Sequence, residues 1–297
     1  MTGLAITPWS RVPGELTEGP RWDASRQELL WVDILRRQFY RAGRAADGGS
    51  GKLSTFTLER HVGAVAPAVG GGYVAAAGQG FTYIAPDGST RMLAQPEAGN
   101  SHLRMNDGAC DAAGRFWAGT MAYDETPEAG CLFRLELDGS CTTVLTGLTI
   151  SNGIGWSPDG STMYLNDSGA GCLEAFDYDG VTGDIGNRRT LVRVEPPAAP
   201  DGLTVDADGG IWVAVWGGGC VRRYSPGGEL LSEIAVPVDR PTSCAFGGPD
   251  LTTLFVTTAR EGLAAEHLER QPHAGHVLAV HGLDVRGVAC NPCRVHV

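Results

Sequence analysis

Glu18, Asn152 and Asp201 each stand immediately before a glycine, and each brings a side-chain oxygen. Two carboxylates and an amide oxygen form a donor set that suits a hard divalent cation. Ca²⁺ takes about six to eight oxygens at about 2.3–2.6 Å. Three protein donors would leave positions for water and a ligand, as in an open site of catalytic type. Asp107, before Gly108, has the same form. It is a further ligand, an acceptor behind the site that steadies a water on the cation, or a turn residue. Taken singly, any of these side chains equally suits a turn, because Asp and Asn often precede Gly there.

What gathers them is register. The chain repeats one phrase about six times: an acidic or amide residue, Gly, a short apolar run, a turn, then an aromatic-rich strand. The phrases begin at Glu18, Val62, Asp107, Asn152, Asp201 and Thr242, spaced by 44, 45, 45, 49 and 41 residues. A period near 45 built of short strands and turns predicts an all-β, six-bladed β-propeller with four antiparallel strands per blade. In a propeller, equivalent positions lie at equal depth around the central channel. Four of the six equivalents are oxygen donors, so repetition alone brings three carboxylates and an amide to one axis.

Arg104 and Asn106 precede the third phrase in LRMNDG. A guanidinium there reaches the channel mouth to grip hydroxyl or carboxylate oxygens, or it balances the nearby acids at the surface. Asp124 lies in the loop 123–130, longer than the matching turns and able to fold over the channel; a solvated acidic loop is the plainer alternative. His61 precedes the second phrase and is better read as a core or surface histidine. Trp22, Trp117, Trp156 and Trp212 recur near the phrases as blade-packing residues. HExxH, GxSxG and a complete EF-hand loop are missing, and Gly51-Lys52 is not a P-loop because Leu53 follows.

Turn signals such as Asp87-Gly88, Asp138-Gly139 and Pro158-Asp159-Gly160 separate strands of four to six residues. The stretch 261–270 reads as a short helix. The N-terminal stretch 4–9 is expected to close the ring against strands around 276–281 and 287–295. Composition marks Gly43–Gly51 as a mobile loop. The repeat runs nearly end to end, so all 297 residues are expected to form a single domain, and 43 glycines suit a fold of tight turns.

Twenty-three basic against 34 acidic residues give a net charge of −11, which repels nucleic-acid phosphates and attracts small cations. With no long apolar segment and no charged-then-apolar start, a cytoplasmic protein free of membrane and nucleic acid is expected, as a monomer or weak homo-oligomer. The eight cysteines follow no framework spacing and are expected to be reduced. Cys290 and Cys293 form one CxxC without the second pair that a zinc site needs.

TEGPRWD with LLWVDI, RMNDGACDAAGRFWAGTM, SNGIGWSPDGSTMYLNDS, PDGLTVDADGGIWVAVWGGG and CAFGGPDLTTLFVTTAREGL occur in this order along nearly the whole chain. They resemble the SMP-30/gluconolactonase/luciferin-regenerating family, which includes regucalcin and bacterial sugar-lactone lactonases. The resemblance implies one divalent metal in the channel and hydrolysis of aldonolactones. It places the metal ligands at Glu18, Asn152 and Asp201, the general base at Asp201, and substrate-holding groups at Arg104, Asn106 and Asp124. Asp124 is shorter than the Glu expected at its position. The metal is Ca²⁺, Mg²⁺ or Mn²⁺ on hardness, with Zn²⁺ and Fe²⁺ also found among relatives. Lactone hydrolysis then has the cation polarise the ring carbonyl, with Asp201 as base toward water or as orienter of a hydroxide. The alternatives are a phosphotriesterase-like hydrolase of the diisopropyl-fluorophosphatase type, and a non-enzymatic calcium-binding or scaffold propeller.

Overall fold

Each repeat begins with a strand that is buried along its length, and the chain moves outward from there. In the computed structural model, which describes residues 3–296, β1 (Ala5–Pro8) stands apart from the first blade. Blade 1 is β2 (Thr17–Asp23), β3 (Glu28–Asp33), β4 (Gln38–Gly43) and β5 (Ser54–Thr57). Blade 2 is β6 (Val62–Pro67), β7 (Tyr73–Ala77), β8 (Gly80–Ile84) and β9 (Thr90–Ala94). Blade 3 is β10 (Leu103–Cys110), β11 (Phe116–Ala122), β12 (Gly130–Leu135) and β13 (Cys141–Leu148). Blade 4 is β14 (Ser151–Trp156), β15 (Thr162–Asp167), β16 (Cys172–Tyr178) and β17 (Ile185–Arg193). Blade 5 is β18 (Ala199–Val205), β19 (Ile211–Trp216), β20 (Cys220–Tyr224) and β21 (Leu230–Ala235). Blade 6 is β22 (Pro241–Gly247), β23 (Thr253–Thr258) and β24 (Leu278–His281), completed on its outside by β1. The fold is an all-β, six-bladed propeller with four antiparallel strands per blade.

Burial falls from the axis outward. All eight residues of β10 and all seven of β11 are buried, whereas β17 and β21 are largely exposed. The core therefore lies between blades rather than inside any one sheet. Phe81 and Val74 of blade 2 pack with Met105, Phe116 and Phe133 of blade 3, and the same pattern recurs around the ring. Truncating a fully buried ring such as Phe81 to Ala costs about 3–5 kcal/mol. The innermost strands run side by side in the order β2, β6, β10, β14, β18, β22 and back to β2, so blades 3 and 6 stand opposite one another.

The Asp-Gly signals form turns. Gly88, Gly139 and Gly160 sit at φ +87, +86 and +68, and Asp87, Asp138 and Asp159 each accept the backbone N–H two residues on. Ring closure pairs Ala5 with His281 through Pro8 with Leu278. The stretch 287–295 does not join that sheet. It crosses the underside of the channel and makes isolated bridges from Gly287 to Asp206 and from Cys293 to Ala68. Pro292 lies within this segment and lacks the N–H that a ladder needs. Gly43–Gly51, expected as a mobile loop, is pinned: Arg44 bridges Ser50, Ser50 donates to the Trp9 carbonyl, and Arg11 pairs with Asp47 at 2.7 Å. The helix expected over 261–270 is shorter, α1 (Ala265–Arg270). Among the described residues no helix is long and apolar enough to cross a membrane, and all eight cysteines are free thiols.

Candidate metal and substrate site

Every innermost strand carries a one-residue bulge at the phrase position. The register slips between Glu18 and Arg21, Val62 and Ala64, Met105 and Gly108, Ser151 and Ile154, Pro200 and Leu203, and Pro241 and Ser243. A bulge leaves one residue out of the ladder and re-aims its side chain. At Glu18, Asn152 and Asp201 the side chain lines the channel cavity, whereas Val62 of the second phrase packs into the core between blades. The glycine that follows lies where adjacent innermost strands come closest. A Cβ on Gly153 would stand 2.4 Å from the Leu203 nitrogen, and one on Gly63 2.2 Å from the Asn106 carbonyl oxygen. At Glu18-Gly19, Asn152-Gly153 and Asp201-Gly202 the pair combines a donor facing the cavity with the clearance that lets the next blade approach.

One cavity of about 300 Å³ at the channel mouth brings together Glu18, Arg104, Asn106, Asn152 and Asp201, with apolar walls from Ile34, Met121, Ile150 and Trp216. All five polar residues are buried. Asn152 Oδ1 and Asp201 Oδ1 are buried without a hydrogen-bond partner, a costly state that a ligand relieves. The Asn152 amide is oriented by proton accounting. Ser168 Oγ gives its single hydrogen to the Pro200 carbonyl at 2.7 Å, so it must accept from Asn152 Nδ2 at 3.0 Å. That leaves Oδ1 facing the channel.

Burial and mutual repulsion make the acids reluctant to ionise together. Burial, then the nearby Asp107, pushes the Glu18 carboxyl from its ordinary 4.5 up to about 8. Asp201 is held well above the carboxylate range by burial, then by Glu18 and Asp107. Asp107 is also raised by burial, with the Arg21 guanidinium opposing. It does not line the cavity; its Oδ1 accepts the Gly108 N–H at 2.6 Å and lies 3.8 Å from Arg21. Among the described residues no three His, Cys, Asp or Glu side chains form a metal-binding group, so a cation at this place requires the Asn152 oxygen as a donor. The unpartnered oxygens, the all-oxygen set and the charge that the acids seek to lose fit a divalent cation held by Glu18, Asn152 and Asp201.

Arg104 Nη1 donates to Asn106 Oδ1 at 2.6 Å and to the Met105 carbonyl at 3.2 Å, while Asn106 Nδ2 donates to the Ser151 carbonyl at 3.0 Å. Asn106 therefore braces the guanidinium and ties blade 3 to blade 4. Tyr123 lies over Arg104, 6.0 Å from guanidinium carbon to ring centroid, and its hydroxyl meets His61 Nδ1 at 2.8 Å. His61 thus supports the mouth without lining the cavity.

Asp124 is not brought into the cavity. Its Oδ1 is taken by the Thr126 N–H and hydroxyl on an exposed turn, and the next residue, Glu125, lines the wall instead. Glu261 also lines the cavity and carried no sequence signal. Ser168 was legible in part, since it ends the MYLNDS run of the fourth repeat. Trp117 and Trp212 are packing residues, their indole N–H groups bonded to Asp111 and Asp206.

The chain is similar throughout to proteins with this architecture. Regucalcin of Gallus gallus is 38% identical over 285 residues, 93% of this chain and 94% of the relative. A calcium-binding protein, regucalcin, from Agrobacterium tumefaciens superposes with a TM-score of 0.91 at 29% identity, covering 98% of each chain. A luciferin-regenerating enzyme gives 0.89 at 30% identity, covering 99% of this chain and all of the other. The model of the SMP-30/Gluconolactonase/LRE-like region matches residues 16–260, and with the bulged ring of oxygen donors this shows that the chain belongs to the SMP-30/gluconolactonase/LRE-like family.

Proposed function

We propose that the protein hydrolyses a sugar lactone, an aldonolactone, to its aldonic acid. The observation that carries this is the pair of buried, unpartnered oxygens on Asn152 and Asp201 in a cavity shared with a braced arginine. Glu18, Asn152 and Asp201 would hold a divalent cation, which would supply Lewis-acid polarisation of the ring carbonyl. The oxygen donors favour Ca²⁺, Mg²⁺ or Mn²⁺, and the Agrobacterium neighbour is named as calcium-binding.

The remaining work belongs to the chain. The Asp201 carboxylate accepts the proton of the attacking water as the water oxygen bonds to the carbonyl carbon. The same proton passes to the ring oxygen when the ring C–O bond breaks, so no net proton is needed to open the ring. Arg104, fixed by Asn106, donates to sugar hydroxyls and turns remote binding into alignment of the reacting carbon. Ile34, Met121, Ile150 and Trp216 limit water around the reacting face. No macromolecular partner is required by this chemistry.

The test is acid release from pentono- and hexono-1,4- and 1,5-lactones above the spontaneous rate, with chelated protein and with each divalent cation restored. Turnover that disappears on chelation and returns with one cation is expected. Absence of metal-dependent turnover on every lactone would overturn the proposal.

A further inference from the structure

The rim of the same cavity holds two acids that the chemistry above does not use. Glu125 stands at φ +56, a left-handed conformation that a non-glycine residue keeps only where its surroundings fix it. Its N–H donates to the Ala122 carbonyl at 3.0 Å. Glu261 is set by its own N–H to the Glu15 carbonyl at 3.1 Å and by Arg240, which donates to its carbonyl. Both side chains line the cavity, one from the loop of blade 3 and the other from the end of blade 6. These blades are opposite in the ring, so the acids face one another across the opening.

Glu18 and Asp201 face the proposed cation, so the charges left on the cavity wall are two carboxylates, Glu125 and Glu261, and one guanidinium, Arg104. That guanidinium is braced through Nη1 by Asn106 and the Met105 carbonyl, and no second Arg or Lys lines the cavity. An incoming ligand with its own negative charge meets like charge on both sides of the opening, with Arg104 the one cationic side chain on the cavity wall. We infer that Glu125 and Glu261 are specificity-determining residues that admit neutral lactones and reject those bearing a carboxylate or phosphate. This inference rests on the lactone reading. The same pair repels the product, which becomes an anion when the ring opens. Both residues are exposed, so the effect acts mainly on association and weakens with salt.

The decisive comparison uses a neutral hexono-1,4-lactone and the same ring carrying a carboxylate at C6, with wild type and the E125Q/E261Q double variant. Wild type is expected to favour the neutral substrate by about tenfold in kcat/KM at low salt, and less as ionic strength rises. The double variant should narrow that ratio about fivefold through a lower KM for the carboxylated substrate. Equal kcat/KM for the two substrates in wild type, or an unchanged ratio in the variant, would overturn the inference. If no lactone is turned over, the lactone reading fails and the rim is still tested by calorimetric titration of gluconate against neutral glucitol. Tighter gluconate binding by the variant supports the charge gate, and unchanged binding removes it.

Discussion

The same innermost strands carry buried carboxylates at both ends, and the two ends are treated oppositely. Asp111, just past β10, is fully buried and accepts from Arg115 Nε at 2.6 Å, the Trp117 indole at 2.9 Å, the Tyr178 hydroxyl at 2.8 Å and the Arg115 N–H at 3.0 Å. Asp206, just past β18, is its counterpart, with Trp212, Arg223 and the backbone N–H groups of Asp208 and Gly210 as donors. Asp201, five residues earlier and within β18, is almost as buried and has an oxygen with no donor at all. Burial is common to both ends; the supply of donors is what differs. A saturated buried carboxylate holds blades together, while an unsatisfied one waits for a ligand.

Exchanging the two fates should separate activity from stability. Asp201→Asn is expected to lower kcat by about 10²–10⁴-fold without lowering the thermal midpoint of chelated protein, because a buried unpartnered acid is replaced by a neutral amide. Near-normal turnover in a variant that still binds its cation would show that Asp201 is not the proton acceptor. Asp111→Ala should do the reverse, costing about 3–5 kcal/mol in urea unfolding by leaving Arg115 buried without its carboxylate, while the folded fraction keeps its kcat/KM within a few-fold. A loss of turnover beyond the loss of folded protein would break the distinction.

The smallest effect is a pH dependence. The Glu18 carboxyl is held at about 8 in the folded chain against an ordinary 4.5. Between those values the folded state keeps a proton that the unfolded state has released. That stabilisation is full below about pH 4.5 and is lost as pH rises through about 8. Thermal melts of chelated protein should fall across that window, flatten when a divalent cation is added, and fall less steeply without it in Glu18→Gln, where the raised Asp201 and Asp107 carboxyls remain. The same variant should bind the cation at least about tenfold more weakly; intact affinity would remove Glu18 from the ligand set.

Repetition made most of this legible in the sequence. The blade count, the turns and the depth of Glu18, Asn152 and Asp201 follow from equivalent positions, because each repeat meets the same packing problem and solves it with the same residue pair. What repetition does not encode was lost. The choice of Glu125 over Asp124 at the cavity wall depends on one left-handed residue in a loop that no other blade shares. Glu261 belongs to the non-repeating connection between β23 and β24, and the 287–295 segment to a tail with no counterpart. Asn106 lines the cavity and also joins Arg104 to the Ser151 carbonyl, a contact that spans two repeats and leaves no periodic trace.

Blade 6 is completed by β1, which leads directly into blade 1, so the first and last blades are latched by a ladder of four residue pairs, Ala5 opposite His281 through Pro8 opposite Leu278. During synthesis β1 has no partner until nearly the whole chain has emerged, and Glu18 spends that time on an unfinished arc. Pairing β1 with β24 joins residues far apart in sequence, the kind of contact whose loop-closure cost slows folding. Once made, it governs the reverse process too: separating blade 1 from blade 6 while the sheets stay intact has to strip that ladder. The ring of donors is therefore closed in part at the outer rim of the molecule, by a short strand far from the axis.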